Sequence, residues 1–206
     1  MAVRPPTPLP RGRHNLSREQ VAQVQRDRML VGLAEAMAEK GYVGTSVGDI
    51  IKRAGVSRET FYQQFSSKQE CFVAAFTVAG DLLISLMESI VDRPGSTRER
   101  LDAALGAYLD GIIEHGTFAR LFLVEVYAAG PEVMERRVEF QHRVASGLAA
   151  LVGPDGDDRV LLACDVLVAG LGSIVTWPLV TGDHDRLRAL REPLVDVVLR
   201  QLAPEA

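Results

Sequence analysis

Helix start signals recur along the whole chain and leave little room for other secondary structure. Ser17, Ser67 and Ser96 are each followed three residues later by Gln or Glu, the spacing of a capping box, in which side chains satisfy free N–H groups of the first helical turn. Apolar residues then recur at helical spacing, as between residues 30 and 37. No segment alternates apolar and polar residues between hairpin turns. The sequence therefore predicts an all-α fold of eight to ten helices.

Glycine and proline residues mark where the expected helices end. Gly41 stops the first helix, and Gly55 separates two short ones. Pro178 stops the most apolar helix, because proline lacks a backbone N–H and clashes with the preceding turn. Pro193 disturbs a last helix of undefined start. The helices expected before that one are 17–41, 47–54, 58–64, 67–91, 96–115, 118–128, 131–152 and 158–177.

The length and composition describe a folded chain with a substantial core. Its 206 residues are 47% hydrophobic and 24% charged, which excludes wholesale disorder and makes metal or disulfide staples unnecessary. Cys71 and Cys164 lie far apart among apolar residues, so we interpret them as small buried hydrophobes in a reducing compartment. Residues 1–13 are proline-rich and contain no apolar stretch that would serve as a signal peptide. We therefore expect a cytoplasmic protein.

Residues 160–180 raise the alternative of a membrane span. These 21 residues contain a single charge, Asp165, and have nearly the length that crosses a bilayer. Against a span, Asp165 is costly in lipid, Gly170 and Gly172 weaken the helix, and both flanks are acidic. We expect no membrane contact, and instead a helix packed between its own core and a partner subunit.

Charge is divided unevenly along the chain. The whole sequence has a net charge of −4, which by itself argues against a nucleic-acid partner. Residues 1–70, however, hold 11 Lys or Arg against 7 Asp or Glu, whereas residues 71–206 hold 12 against 20. A basic N-terminal third followed by an acidic remainder is typical of a nucleic-acid reader joined to a different module.

Two short helices around Gly55-Val56-Ser57 have the pattern of a helix-turn-helix. Glycine supplies the positive φ that ends the first helix, and Ser57 caps the second. The small core that fixes the angle between them is expected to consist of Ile50, Val56, Phe61 and Phe65. The polar residues left outward, suited to base edges or phosphates, are Arg58, Glu59, Thr60, Tyr62, Gln63 and Gln64.

The residues around this turn follow a longer pattern at fixed spacing. It comprises Gly-Tyr at 41–42, Thr-Ser at 45–46, Asp-Ile at 49–50, Ala-Gly-Val-Ser at 54–57, Thr-Phe-Tyr at 60–62, Phe65 and Ser-Lys at 67–68. Over residues 26–76 the sequence thereby resembles the tetracycline-repressor (TetR) family of bacterial transcriptional regulators. Two positions depart from the family pattern: Ile51 stands where a small alanine is usual, and Gln64 where a histidine is common.

The resemblance implies a flexible N-terminal arm at 1–16, a three-helix DNA-binding domain at 17–70 and a ligand-binding and dimerisation domain at 71–206. It implies that base edges are read by Arg58, Glu59, Thr60 and Gln63. It further implies phosphate contacts from Thr45, Tyr62 and Lys68, with Ser46 and Ser57 also at the DNA surface. For Tyr62 a half-buried core position is the alternative. Lys52 and Arg53 either contact the DNA backbone or lie on a solvated face. Arg11 and Arg13 either enter a minor groove or are simply disordered.

The same resemblance implies a homodimer, paired through the last two helices, on a palindromic operator of double-stranded DNA. It also implies a pocket for a small-molecule effector, lipophilic or aromatic, whose binding tilts the fourth helix and releases the DNA, repression being the usual mode. The expected pocket residues are Met87, Tyr108, His115, Phe118, Phe122, Tyr127, Met134, Phe140, His142 and Trp177. A regulator of the same fold that is ligand-independent or partner-controlled remains an alternative.

An enzyme is the other alternative. Glu139 and His142 have the Glu-x-x-His spacing of di-iron bundles, but such sites need two pairs, and none of the other histidines has a Glu three residues before it. The sequence contains no nucleophile elbow, no phosphate-binding glycine motif and no Cys/His cluster. We therefore expect no catalytic residues, no metal and no cofactor.

Overall fold

Helices account for nearly all of the described chain. The computed structural model describes residues 17–91, 93–152 and 158–202, and no strand occurs in that part of the chain. The prediction of an all-α fold is confirmed, while the predicted arm at 1–16 lies outside the described residues. The helices are α1 Arg18–Gly44, α2 Val47–Ala54, α3 Arg58–Gln64, α4 Lys68–Val91, α5 Thr97–Glu114, α6 Gly116–Leu123, α7 Pro131–Val152, α8 Asp158–Thr181, α9 His184–Ala189 and α10 Arg191–Leu202, with a 3-10 turn at Glu125–Ala128 between α6 and α7.

The chain divides into two compact units, Met1–Ala75 and Phe76–Ala206. The division falls inside α4, five residues beyond the boundary expected at residue 70. The first two turns of α4 therefore belong to the N-terminal unit, and the remainder of the helix belongs to the C-terminal unit.

In the N-terminal unit, α1 and α2 pack at backbone contact. A β-carbon at Gly32 of α1 would stand 3.0 Å from the carbonyl oxygen of Ile50 and 3.1 Å from the nitrogen of Ala54. A side chain at this position would require the two helices to move apart by a few tenths of an ångström. The core around the contact is fully buried and consists chiefly of Met29, Leu33, Met37, Ile50, Phe61, Phe65 and Phe72.

The helix start and stop signals of this unit act as expected at both ends of α1. The Ser17 side chain accepts a hydrogen bond from the Gln20 amide, and the Gln20 side chain accepts one from the Ser17 amide, which completes the capping box. Gly41 breaks the helical geometry with φ of 68°. Residues 42–44 form a last turn beyond the break and lead to Thr45.

The C-terminal unit is a bundle built around α5, α7, α8 and α10. One core cluster joins Leu101, Ala145, Cys164 and Val198 from these four helices. A second joins residues of α5 and α8 to α9: Leu109, Ile112, Val175 and Leu187. Both cysteines of the chain are buried and unpaired, as predicted.

Three helix boundaries of this unit differ from the prediction. The expected helix 118–128 is broken at Val124, whose φ of −125° and ψ of −61° separate α6 from the 3-10 turn. Pro178 does not end α8, which continues to Thr181 and stops before Gly182, with φ of 71°. Pro193 is the third residue of α10, where the backbone N–H is not used within the helix, so it marks a helix start.

Pro178 lies inside α8, three residues before its end, and removes one backbone N–H donor from the helix. Pro178 is buried, and the Thr181 hydroxyl donates to the carbonyl of Trp177 at 3.0 Å, which satisfies an acceptor of the last turn. By length and hydropathy α8 would also cross a membrane, since an 18-residue window has a mean hydropathy of 2.0. One helix of this kind is weak evidence for a membrane span, and Cys164 and Val175 of α8 pack in the two clusters above.

Candidate functional site

A tight turn sets the relation between α2 and α3. Gly55 ends α2 in the left-handed conformation, with φ of 63° and ψ of 39°, and its amide donates to the carbonyl of Ile51. Ser57 caps α3, because its hydroxyl oxygen accepts from the amide of Thr60 at 3.0 Å. Both roles were predicted. Val56 between them is half-buried, less deeply than expected.

The buried side of α3 is formed by Phe61, which is fully buried, and the helix is followed by the buried Phe65. The opposite side carries four exposed polar residues, Arg58, Glu59, Tyr62 and Gln63, with Thr60 and Gln64 half-buried beside them. The sequence-predicted outward face is therefore confirmed. Its groups include a guanidinium, an amide and hydroxyls, the donors and acceptors that read base edges and phosphates.

Contacts along this face hold the side chains in place. The Arg58 guanidinium lies 5.6 Å from the centroid of the Tyr62 ring, and Gln63 Nε2 donates to Glu59 Oε1 at 3.4 Å. The Tyr62 ring meets Phe61 edge to face at 5.4 Å, although 48% of the residue is exposed. Tyr62 thus rests on the core with its ring while a large part remains accessible.

The start of α2 lies next to α3 in sequence and carries a complete capping box. Ser46 Oγ accepts from the Asp49 amide at 3.2 Å, and the Asp49 carboxylate accepts from the Ser46 amide at 2.9 Å. Lys40 forms an ion pair with the same carboxylate. The hydrogen bond from Lys40, followed by those from Ser46, holds the pKa of Asp49 far below its usual range.

Thr45 has a structural position instead of the expected phosphate contact. The residue is only 3% exposed, and its hydroxyl donates to the carbonyl of Gly41 at 2.8 Å. Its amide donates to the carbonyl of Tyr42 at 3.3 Å. Since both donors are used inside the turn, Thr45 orders the approach to α2, and the expectation of a phosphate contact from its side chain is corrected.

Lys68 and the start of α4 also differ from expectation. Lys68 Nζ donates to the carbonyls of Tyr42 and Thr45, at 2.6 and 2.8 Å. Ser67 Oγ accepts from the Glu70 amide at 3.1 Å, but the Glu70 carboxylate bonds to the amide and hydroxyl of Ser66 instead of completing a box with Ser67. The helix start expected to attract a phosphate therefore already has a carboxylate beside it.

The arginines and lysines of α1 and α2 divide into two groups. Arg53 pairs with Glu39 at 2.5 Å and so braces α2 against α1, a role that the sequence did not predict. Lys52 on the same helix is exposed. Sequence reasoning missed Arg26, whose guanidinium lies 4.4 Å from the Phe65 ring centroid and donates to the Gln64 carbonyl at 3.4 Å. Contacts between residues 38 positions apart leave no signal in local spacing.

The residues expected to bind an effector are distributed over several places in the C-terminal unit. Phe122 stacks on Phe76 with ring centroids 4.1 Å apart, and Phe140 lies 5.2 Å from Phe122. A β-carbon at Gly80 would stand 3.1 Å from Phe140, so the ring lies directly on the backbone of α4. These rings form an aromatic cluster between α4, α6 and α7.

Tyr127 and Trp177 lie elsewhere, at an open cleft of about 290 Å³ beside α8. Arg137 forms part of its wall, where it donates to the Phe122 carbonyl at 2.7 Å and lies 4.9 Å from the Tyr127 ring centroid. Trp177 is 69% exposed. Both aromatic residues were expected to line a pocket; they line this open cleft and are largely exposed.

The remaining expected pocket residues vary in burial. His142 is exposed and its Nδ1 lies 3.5 Å from Asp165, so it is a surface residue here, and Glu139 of the same Glu-x-x-His pair lies 3.7 Å from Arg136. Burial raises the pKa of Tyr108. Half-buried positions are those of Met87, Tyr108, His115, Phe118 and Met134. Among the described residues no group of three His, Cys, Asp or Glu side chains is placed to hold a metal.

Comparisons with known proteins agree with this arrangement. The chain is 32% identical over 109 residues to the HTH-type transcriptional activator FasR of Mycolicibacterium smegmatis, a match that covers 53% of this chain and 50% of the relative. It thus spans about half the length of that relative. Its fold is similar to that of FadR from Bacillus subtilis, solved in complex with stearoyl-CoA (TM-score 0.74, 19% identity, 87% of this chain and 99% of the other). It is also similar to the fatty acid degradation regulator FadR from Bacillus halodurans (TM-score 0.77, 19% identity, 88% and 97%).

The family comparison coincides with the helix-turn-helix. The profile of bacterial regulatory proteins of the tetR family matches residues 30–75, which run from the core of α1 through the Gly55 turn and α3 to the second turn of α4. This is the segment whose fixed-spacing pattern and turn geometry are described above. Residues 30–75 of the chain thus match the DNA-binding segment that defines the tetR family of bacterial regulatory proteins.

Proposed function

We propose that this chain is a homodimeric, sequence-specific DNA-binding transcriptional regulator that responds to a small lipophilic or aromatic effector. The observation that carries the proposal is the exposed polar face of α3, held at a fixed angle to α2 by the Gly55 turn and the buried Phe61. A helix of this kind, preceded by a second helix and a tight turn, enters a major groove.

On this proposal the exposed side chains of α3 read the base pairs. Arg58 donates two parallel hydrogen bonds to guanine, and Gln63 both donates to and accepts from adenine. Glu59 and Thr60 complete the base-reading set. Tyr62 contacts a phosphate through its hydroxyl, and the serines at the starts of α2 and α3, Ser46 and Ser57, lie at the backbone.

Pairing of two copies is supported by an apolar stripe on α8. Leu162, Val166 and Trp177 are 65%, 65% and 69% exposed. The small exposed residues Ala169 and Ser173 lie between Val166 and Trp177 on the same face. Val197 of α10 is also exposed. A helix surface that exposes this many large apolar side chains in a single chain is typical of a protein–protein interface. A two-fold axis through the last helices predicts a palindromic operator with half-sites about 34 Å apart, or a multiple of that distance.

An effector is supported by the structural relatives. FadR of Bacillus subtilis, whose fold this chain shares, was solved with stearoyl-CoA, a lipophilic molecule. The aromatic cluster of Phe76, Phe122 and Phe140 supplies an apolar wall of the kind that such molecules contact. We propose that the effector releases the operator, so that the protein is a repressor. One relative is named an activator, so repression and activation are distinguished by measuring transcription with and without the protein.

The proposal is tested by titrating the full-length protein against DNA from upstream of its own gene, with shuffled DNA as the control. We expect tight, salt-sensitive binding that is selective for the upstream sequence. Long-chain acyl-CoA and free fatty acids are then added as probes, and a 5- to 150-fold loss of affinity is expected, equivalent to a coupling of about 1 to 3 kcal/mol. Equal binding to both DNAs contradicts the proposal of sequence-specific regulation, and binding that no probe changes favours the ligand-independent alternative.

A further inference from the structure

Lys68, the first residue of α4, places its ammonium group on the turn between α1 and α2. Nζ lies 2.6 Å from the carbonyl oxygen of Tyr42 and 2.8 Å from that of Thr45. It also lies 4.1 Å from the centroid of the Tyr42 ring. An ammonium has three N–H groups, so two carbonyls and an aromatic face take up most of its donor capacity.

The two carbonyls belong to the place where α1 ends. Carbonyls of a last helical turn have no partner within the helix, and the helix dipole makes this end negative, so a cation stabilises it. The turn is tight: Gly41 has φ of 68°, and the Thr45 hydroxyl and amide are bonded to the carbonyls of Gly41 and Tyr42. Lys68 adds two charge-assisted hydrogen bonds from outside this local network.

A second residue of α4 holds the same turn. Phe72 lies four residues after Lys68, on the same side of α4, and its ring meets the Tyr42 ring edge to face at 5.5 Å. Phe72 is fully buried, and burial lowers the pKa of Lys68. The Tyr42 ring thus contacts both the Lys68 ammonium and the Phe72 ring, which come from the first two turns of α4.

We propose that Lys68 is a positioning residue, which fastens the start of α4 to the α1–α2 turn and so fixes the first turn of α2, instead of binding a DNA phosphate. Thr45, one of its two acceptors, directly precedes Ser46, the N-cap of α2. A displacement of α4 that carries Lys68 away loosens this N-cap. The consequence for DNA binding rests on the proposed function, whereas the effect on the turn does not.

The effect on the turn is measured by hydrogen exchange of the full-length protein without DNA. Lys68→Met keeps the unbranched side chain but removes all three donors, and Lys52→Met, on the exposed face of α2, is the matched control. We expect amides of residues 45–50 to exchange at least about tenfold faster in K68M, because the charge-assisted hydrogen bonds to the turn are lost, and to be unchanged in K52M. Unchanged exchange in K68M overturns the proposal.

The alternative, a direct phosphate contact, is separated by the salt dependence of operator binding. Loss of one phosphate contact lowers the slope of log K against log salt concentration by about 0.9. We expect K68M to bind more weakly with an unchanged slope; a slope lowered by about 0.9 overturns the proposal. If the wild-type protein binds no DNA, the proposed function fails, and the exchange experiment still decides the role of Lys68.

A measurement on the wild-type protein covers the case in which K68M does not fold. The sequence contains three lysines, Lys40, Lys52 and Lys68, so their side-chain NMR signals are readily assigned. The ε-methylene protons of Lys68 are expected upfield of their random-coil position because the Tyr42 ring lies next to them. A random-coil position for all three lysines overturns the proposal.

Discussion

The guanidinium of Arg28 occupies the space that a side chain at residue 55 would need. Its Nη2 lies 2.5 Å from the position of a β-carbon built on Gly55, which itself has φ of 63°. The left-handed conformation therefore favours glycine at the turn between α2 and α3, and any side chain there would also have to displace the flexible end of Arg28.

Replacement of Gly55 by alanine is expected to destabilise the protein by about 1 to 3 kcal/mol, because alanine in the left-handed conformation is strained and Arg28 is displaced. The free energy of unfolding is measured by urea titration. The matched control is Gly111→Ala in α5, where nothing lies within 4 Å of the added carbon and a gain of up to about 1 kcal/mol is expected. Equal effects of the two substitutions would contradict the assignment.

Substitutions of Arg58 and Tyr62 are expected to impair DNA binding in different ways. Arg58→Ala removes a base-reading group, so discrimination between operator variants falls by about 1 to 3 kcal/mol at particular base pairs. Tyr62→Phe keeps the ring packed on Phe61 and removes only the hydroxyl, so it weakens binding to all sequences alike. Binding titrations on a panel of single-base operator variants distinguish the two. An Arg58→Ala protein with unchanged sequence preference shows that base reading lies elsewhere.

Asp49 gives the N-terminal unit a defined response to acid. Because its folded-state pKa is lowered, chiefly by the Lys40 hydrogen bond, its contribution to stability is present above the unfolded-state pKa of about 3.9 and is lost as the pH falls below that value. Asp49→Asn is therefore expected to lower the Tm at pH 7, with the difference from wild type shrinking below pH 4. Glu135→Gln, at an exposed position of α7, is the control and is expected to change the Tm little. A constant difference between Asp49→Asn and wild type at all pH values argues for a purely steric effect.

Trp177→Glu is expected to convert the proposed dimer to monomers, because it places a charge within the apolar stripe of α8. Sedimentation velocity gives the oligomeric state. Val138→Glu on α7, a residue 61% exposed, serves as the control for an added charge at an exposed apolar position outside α8 and is expected to leave the state unchanged. A dimeric Trp177→Glu protein places the interface on another face.

Both thiols are expected to be unreactive in the native protein. Burial raises the pKa of Cys71 to about 12 and that of Cys164 to about 11, so the thiolate is scarce at pH 8. Ellman's reagent should report neither cysteine until denaturant is added, and then two. Rapid reaction of one thiol in native buffer indicates that its helix opens.

Local signals in the sequence predicted most helix boundaries of the N-terminal unit. The Ser17 box, the Gly41 break, the Gly55 turn and the Ser57 cap act within four residues of themselves, so their physics is visible in spacing alone. The outward face of α3 followed from the burial of Phe61 and Phe65.

Features that depend on distant contacts were not predicted. Lys68 was expected to be available for a phosphate because its partners in the fold, Tyr42 and Thr45, are 26 and 23 residues away in the sequence. Pro178 was taken as a stop because the sequence does not show that α8 has one turn left to complete. Trp177 was expected in a pocket from its chemical type alone, and the sequence could not show that the cleft it lines would be open and leave it 69% exposed.

The exposed apolar stripe of α8 has a consequence for how the protein responds to its own concentration. A copy that has not found a second one presents Leu162 and Trp177 to water, which chaperones and proteases recognise as an unfinished surface. In the proposed dimer, pairing would hide these groups and, by mass action, raise the apparent stability of the fold as the concentration rises. Occupancy of the proposed two-fold operator would then grow more steeply than linearly with synthesis, so that a modest change in expression would produce a sharper change in transcription.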